Sequence, residues 1–181
     1  MNKLIWIDLE MTGLNVNSEV IIEIATVITD IQLNIIAHGP NLVIQQPEDI
    51  LNNMDEWNTS HHNKSGLTNA VRDSKISLDE AEQLTLAFLK NHVEANTSPI
   101  CGNSIYQDRI FLAKYMPQLE KFFHYRALDV STIKILIQNW YPEYTFTSKD
   151  SSHRALDDIL TSIDECQHYK TLFDQCLNNS A

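Results

Sequence analysis

The stretch LIWIDLEMTGL, residues 4–14, decides how the rest of the chain is read. Its first four residues, Leu4 to Ile7, are bulky and apolar, as in a strand buried on both faces. Two carboxylates follow, Asp8 and Glu10, separated by one leucine. Side chains two apart on a strand point to the same side, so Asp8 and Glu10 share a face and Leu9 points away. At the carboxyl end of a central strand, that is where open α/β sheets place their ligands. Two ionised carboxylates this close repel, and one is driven to protonate unless a positive charge sits between them. Oxygen ligands suit Mg²⁺ or Mn²⁺, so the pair points to a divalent cation.

Outward from this strand, VIIEIATVIT (20–29) and NIIAHGPNLVI (34–44) read as two more, rich in β-branched residues. Pro47 opens an acidic, helix-compatible stretch through Trp57. Ser77 and Glu80 form a capping-box pattern ahead of Leu78, Ala81, Leu84 and Phe88 at helical spacing, a helix running to about His92. Ile100-Cys101 then meets Gly102, and IYQDRIFLAKYM (105–116) has helical periodicity closed by Pro117. The same strand, turn and helix recur as YRAL (125–128) and DVSTIKILIQNWY (129–141), ended by Pro142. From about Arg154 to Leu177, an apolar stripe at Ala155, Leu156, Ile159, Leu160, Ile163, Tyr169 and Phe173 predicts a long amphipathic helix. Strands first, then strand alternating with helix, imply an α/β fold with a mixed central sheet flanked by helices.

A length of 181 residues, 43% of them hydrophobic, with four Gly and five Pro, predicts one compact domain over 1–181. No apolar run approaches the roughly 20 residues that span a bilayer, and the N-terminus lacks the pattern of a secretory leader. The expectation is a cytoplasmic protein without a membrane segment. Cys101, Cys166 and Cys176 are odd in number and form no C-x-x-C pair, so neither a disulfide framework nor a zinc site is suggested. The net charge of −11, from 13 basic and 24 acidic residues, argues against a long polyanionic partner. Any nucleic acid would be short, or gripped through metal ions.

An isolated D-x-E is commonplace at a solvated strand end, so its meaning depends on further acids. Asp108 falls in the first turns of the helix after strand 98–101, again near a strand's carboxyl end. Asp157 and Asp158 fall in the first turn of the last helix, just beyond His153. An imidazole beside such acids can take a proton near neutral pH, which supplies the parts for activating water. If His153 is helical, Asp157 at i+4 shares its face; if it precedes the helix, either acid can serve.

The set Asp8, Glu10, Asp108, His153 and Asp158 resembles the DEDDh 3′-to-5′ exonucleases, whose fold is RNase H-like with a mixed, mostly parallel sheet. More closely, WIDLEMTGL (6–14), IIEIA (21–25), MDEWN (54–58), SPICGNSIYQDRIFL (98–112), KYMP (114–117), HYRALDVST (124–132) and HRALDDI (153–159) are similar to the oligoribonuclease family, in order and nearly end to end. The family's H-x-A-x-x-D pattern selects Asp158 over Asp157. The resemblance implies two-metal-ion hydrolysis of very short RNA, dinucleotides above all, from the 3′ end to nucleoside 5′-monophosphates. It implies two Mn²⁺ or Mg²⁺ ions held by Asp8, Glu10, Asp108 and Asp158, and His153 as general base. It implies base contacts from Leu14 and Trp57, a sugar contact from His62, and a cap on the 5′ phosphate from Ser104, Ser131, Thr132 and Arg126. Tyr125 and Arg126 would act from the partner subunit, so a homodimer is implied.

Two other readings compete. A related exonuclease that trims longer RNA or single-stranded DNA would not need the phosphate cap. A non-catalytic nucleotide-binding or scaffold dimer would not need the full acid set with His153.

Overall fold

The computed structural model describes residues 2–147 and 154–178. Three strands, β1 (Lys3–Met11), β2 (Ile21–Asp30) and β3 (Ile35–Val43), form an antiparallel meander. β4 (Ile100–Gly102) pairs parallel with β1, and β5 (Ala127–Asp129) parallel with β4, giving the order β3-β2-β1-β4-β5. β2 alone runs against the other strands, so the sheet is mixed and mostly parallel.

Between β3 and β4 lie α1 (Glu48–Asn52), α2 (Glu56–Lys64), α3 (Leu67–Asp73) and α4 (Leu78–Lys90). α5 (Tyr106–Tyr115) and α6 (Pro117–Glu120) follow β4; α7 (Val130–Trp140) and a 3-10 turn at Pro142–Tyr144 follow β5; α8 (Ala155–Asn178) comes last. Among the described residues no helix is long and apolar enough to cross a membrane.

β1 is sandwiched between two apolar layers. Ile5, Ile7, Leu9 and Met11 pack with Leu86 and Leu89 of α4, Phe111 and Leu112 of α5 and Leu119 of α6. Leu4 and Trp6 pack on the opposite side with Val130 and Ile137 of α7 and with Ala155, Ile159, Ile163 and Tyr169 of α8. By strand alternation, Asp8 and Glu10 continue the side of Leu4 and Trp6, toward α8. The apolar run therefore ends where the sheet gives way to a cleft.

The elements differ from the sequence expectations where polar partners intervene. The stretch after Pro47 breaks into α1 and α2, because the Asp55 side chain accepts the Asn58 N–H and starts a new helix. α3 was not foreseen; its Leu67 and Val71 cover Ile22, Leu51 and Met54 in a third apolar cluster. In α4, Leu84 is exposed while Glu82 is buried, because Glu82 Oε1 accepts the N–H groups of Gln118 and Leu119 at the start of α6. In α8, Phe173 is exposed, whereas Ser162 and Glu165 are buried. Cys101 and Cys166 are buried and Cys176 is exposed.

Candidate active site

Asp8 and Glu10 come from the end of β1, and Asp158 from the first turn of α8. Their carboxylate oxygens all lie within 4.8 Å of one another, and each residue is partly exposed. Among the described residues, no second group of three such ligands converges. Asp108, in the first turn of α5, is nearly fully buried and reaches the same strand from the side. The β1–β4 ladder pairs only Ile5 and Trp6 of β1, so the strand beyond them lacks a β4 partner. There, Asp108 Oδ1 accepts the Leu9 N–H at 2.9 Å. The third of the predicted acids thus joins the cluster through the backbone N–H of Leu9, the residue between the first two.

Electrostatics show the cost of this convergence. Burial, followed by the charges of Asp108, Glu10, Asp158 and Glu23, pushes Asp8 well above the ordinary carboxylate range. Glu10 is raised to about 8, mainly by burial and then by Asp158, Glu23 and Asp108, with Arg154 pulling the other way. Burial also lifts Asp108 to about 7 against the opposing Leu9 hydrogen bond. A set of oxygen ligands that repel one another and hold protons at neutral pH is a set that a divalent cation relieves, so the residues fit Mg²⁺ or Mn²⁺.

One contributor escaped sequence reading. Glu23, on β2 directly opposite Glu10, is fully buried. It accepts from Arg154 and from the Ala155 N–H, the first residue of α8. A glutamate inside an otherwise apolar strand, IIEIA, was the available signal. His153 lies outside the described residues; Arg154, its neighbour in sequence, is the residue that Glu23 holds.

The predicted phosphate residues divide into two places. The Gly102 backbone passes so close to β1 that a Cβ there would sit 3.1 Å from the Ile7 carbonyl oxygen. The turn after it holds Ser104 at φ 50°, the left-handed region that few non-glycine residues adopt. Its N–H is shared between Asp129 Oδ1 and Ser131 Oγ, each at 3.0 Å, and the Ser104 and Ser131 hydroxyls are 3.2 Å apart. Asp129 also accepts the Ser131 N–H and so caps α7, with Thr132 exposed in its first turn. Ser104 and Ser131 are therefore together at a helix N-terminus, a setting that favours an anion. Tyr125 and Arg126 lie apart on the exposed segment before β5. Arg126 lies over the Tyr125 ring at 5.4 Å, and Arg109 Nη1 donates to the Tyr125 carbonyl.

Leu14 and Trp57 are 73% and 66% exposed, respectively, which removes plain core packing as their explanation. The loop of Leu14 is fixed by α5: Gln107 donates to the Leu14 carbonyl at 2.7 Å and Tyr115 to that of Glu19 at 2.7 Å. Trp57 stacks on His61, with centroids 4.4 Å apart and planes 12° from parallel. His62 is buried, and its Nε2 donates to the Met11 carbonyl at 2.9 Å, tying α2 to the end of β1.

Comparison with known proteins agrees with this arrangement. A family model described as an exonuclease matches residues 5–166. The oligoribonuclease of Ruthia magnifica subsp. Calyptogena magnifica is 58% identical over 177 residues, covering 96% of this chain and 98% of that protein. The oligoribonuclease of Pseudomonas aeruginosa strain PAO1 is 57% identical over 171 residues, covering 94% of this chain and 95% of its own. Among solved structures, E. coli exonuclease I in complex with a 5cy-dT13 oligonucleotide superposes with a TM-score of 0.73 at 15% identity, over 98% of this chain and 43% of that one. Exonuclease I from Methylocaldum szegediense gives 0.68 at 16% identity, over 94% and 41%. At such identities the structural likeness speaks for the fold alone, which is that of RNase H-like exonucleases. The family match and the near full-length relatives are decisive: this chain belongs to the oligoribonuclease family of exonucleases.

Proposed function

We propose that the protein is a metal-dependent 3′-to-5′ exoribonuclease that degrades very short oligoribonucleotides, especially dinucleotides, to nucleoside 5′-monophosphates. The observation that carries this reading is the convergence of Asp8, Glu10 and Asp158, with Asp108 bound to the same strand, in a chain whose relatives are named oligoribonucleases. Asp8, Glu10, Asp108 and Asp158 would hold the ions, with Glu10 and Asp158 serving the side of the attacking water and Asp108 the other. Two divalent ions, Mn²⁺ or Mg²⁺, would when bound supply positive charge against the scissile phosphate and lower the pKa of the attacking water. His153, in its neutral form, accepts the proton of that water. The water oxygen bonds to phosphorus, the bond to the 3′ oxygen of the preceding nucleotide breaks, and that oxygen takes a proton from solvent water to leave as a hydroxyl.

Leu14 and Trp57 contact the bases, which suits any sequence because every base has a π face. His62 is assigned the contact to the terminal sugar. Ser104, Ser131 and Thr132 bind the 5′ phosphate, and Arg126 with Tyr125 completes that cap from a second copy of the chain in a homodimer. Residues 1–181 act as one exonuclease domain in the cytoplasm. A capped site explains how so acidic a protein handles RNA: a dinucleotide carries little charge, and the ions balance it.

The direction of attack is tested with a short RNA labelled in its 3′-terminal nucleotide and incubated with Mn²⁺. The label should leave first, as a nucleoside 5′-monophosphate. Release of the label last, or as the unphosphorylated nucleoside, contradicts the reading.

A further inference from the structure

The pocket lined by Asp8 and Asp158 does not stop at the acids. It encloses about 240 Å³ and extends along α8 to Ser162 and Glu165, with Asn103 and Lys134 on its other walls. Among the described residues that line it, Lys134 is the one cation.

Lys134 is held in place from beneath. Its Nζ lies 2.9 Å from Oε2 of Glu165, whose side chain is 2% exposed, while the lysine side chain is 34% exposed. The same Oε2 accepts from Asn103 Nδ2 at 3.1 Å, and Oε1 accepts from the Tyr169 hydroxyl at 2.9 Å. Asn103 extends the network in the other direction, because its Oδ1 accepts the Ser131 hydroxyl at 3.0 Å. Ser131 in turn touches Ser104. One continuous set of hydrogen bonds thus joins the serine pair to the ammonium beside the acids.

A free lysine side chain samples many rotamers in water, and this one is tethered at the edge of an acidic pocket by a carboxylate that cannot face solvent. An ammonium has three N–H donors, and Glu165 takes one. The others remain for an anion, and the pocket beside Asp8 and Asp158 is where a phosphodiester must enter in an exonuclease. We propose that Lys134 is a substrate-binding residue that pairs with a non-bridging oxygen of the scissile phosphate, and with the phosphate of the nucleoside 5′-monophosphate product. This assignment rests on the exonuclease reading above. Glu165 is then a positioning residue, acting through Lys134.

Lys134→Ala alone would leave Glu165 buried without its cation, so the informative variant removes both charges. In Lys134→Met/Glu165→Gln, the glutamine can still accept from Asn103 and donate to Tyr169. Competition by adenosine 5′-monophosphate and by adenosine is measured against a 5′-phosphorylated RNA dinucleotide, with Mn²⁺ binding followed by calorimetry. The double variant should bind Mn²⁺ like the wild type, and competition by the monophosphate should weaken about tenfold. Adenosine should be unaffected, and KM for the dinucleotide should rise in parallel. Lys134→Arg should retain most of the competition by the monophosphate. Unchanged competition by the monophosphate in the double variant would make Lys134 a counter-ion of Glu165 and overturn the proposal. Equal loss of Mn²⁺ binding would also overturn it, by placing the effect on the acids. A wild-type protein that leaves the dinucleotide intact sinks the exonuclease reading instead, and direct titration with the monophosphate still tests the lysine.

Discussion

Arg154 closes on Glu23 with Nε 3.0 Å from both carboxylate oxygens and Nη2 2.6 Å from one. Glu23 is fully buried on β2, opposite Glu10, and it also accepts the first N–H of α8. The pair therefore fixes where α8 begins and, one turn later, where Asp158 stands.

Removing the guanidinium leaves a buried carboxylate without its charge partner. Arg154→Ala should cost about 3–5 kcal/mol in urea unfolding. Glu23→Gln, which keeps an acceptor for the helix start, should cost about 1–2 kcal/mol. Both should weaken Mn²⁺ binding by shifting Asp158. An Arg154→Ala protein as stable as the wild type contradicts the anchoring role.

The acids also set a pH dependence of stability in metal-free protein. Glu10 and Asp108 are raised from ordinary values of 4.5 and 3.8 to about 8 and about 7, and Asp8 is raised too. In this window the folded chain holds protons that the unfolded chain has released. Their contribution is complete below the ordinary carboxylate range and is lost as pH rises through 7 and 8. The metal-free melting temperature should therefore fall between about pH 5 and pH 8, and the increment from added Mn²⁺ should grow over the same range. A metal increment that shrinks with rising pH contradicts this. The lowered carboxyls of Asp30 and Glu48 act in a separate window, since their contribution fades only in acid.

Asp158 and Asp157 are sequence neighbours with different surroundings. Asp158 converges with Asp8 and Glu10, whereas Asp157 is exposed. Asp158→Asn should abolish turnover, and Asp157→Asn should retain most of it, as measured by release of nucleotide from a dinucleotide. The opposite ranking overturns the assignment.

Much of this was legible because β1 obeys a simple alternation. Apolar residues at 4–7 followed by acids at 8 and 10 state both that the strand is internal and that it ends at a cleft. The strand-turn-helix units before Asp108 and Ser131 were equally plain, since proline and glycine mark their ends. What could not be read was the set of buried polar partners. Glu23, Glu82 and Glu165 each sit where the pattern expects an apolar residue or a solvent face, and each is buried because a distant segment supplies its donors. Local periodicity carries no information about such partners. The rotation of α4 that exposes Leu84 follows from one of them, as Glu82 turns inward to cap α6.

The cap on the 5′ phosphate predicts a binding effect. Arg126 is exposed over Tyr125 and is proposed to reach substrate held by a second chain. Arg126→Ala should raise KM for a 5′-phosphorylated dinucleotide about tenfold and change kcat by less. A loss confined to kcat would count against the cap.

The central claim is that the site takes very short RNA from the 3′ end. Hydrolysis rates for a series of 5′-phosphorylated RNAs, from a dinucleotide to a 20-mer, measured with Mn²⁺, test it most directly. The dinucleotide should be cleaved much faster than the 20-mer, with the rate falling steeply at the first added nucleotides. Equal rates across the series would contradict a capped site and mark the protein as an exonuclease that trims longer chains.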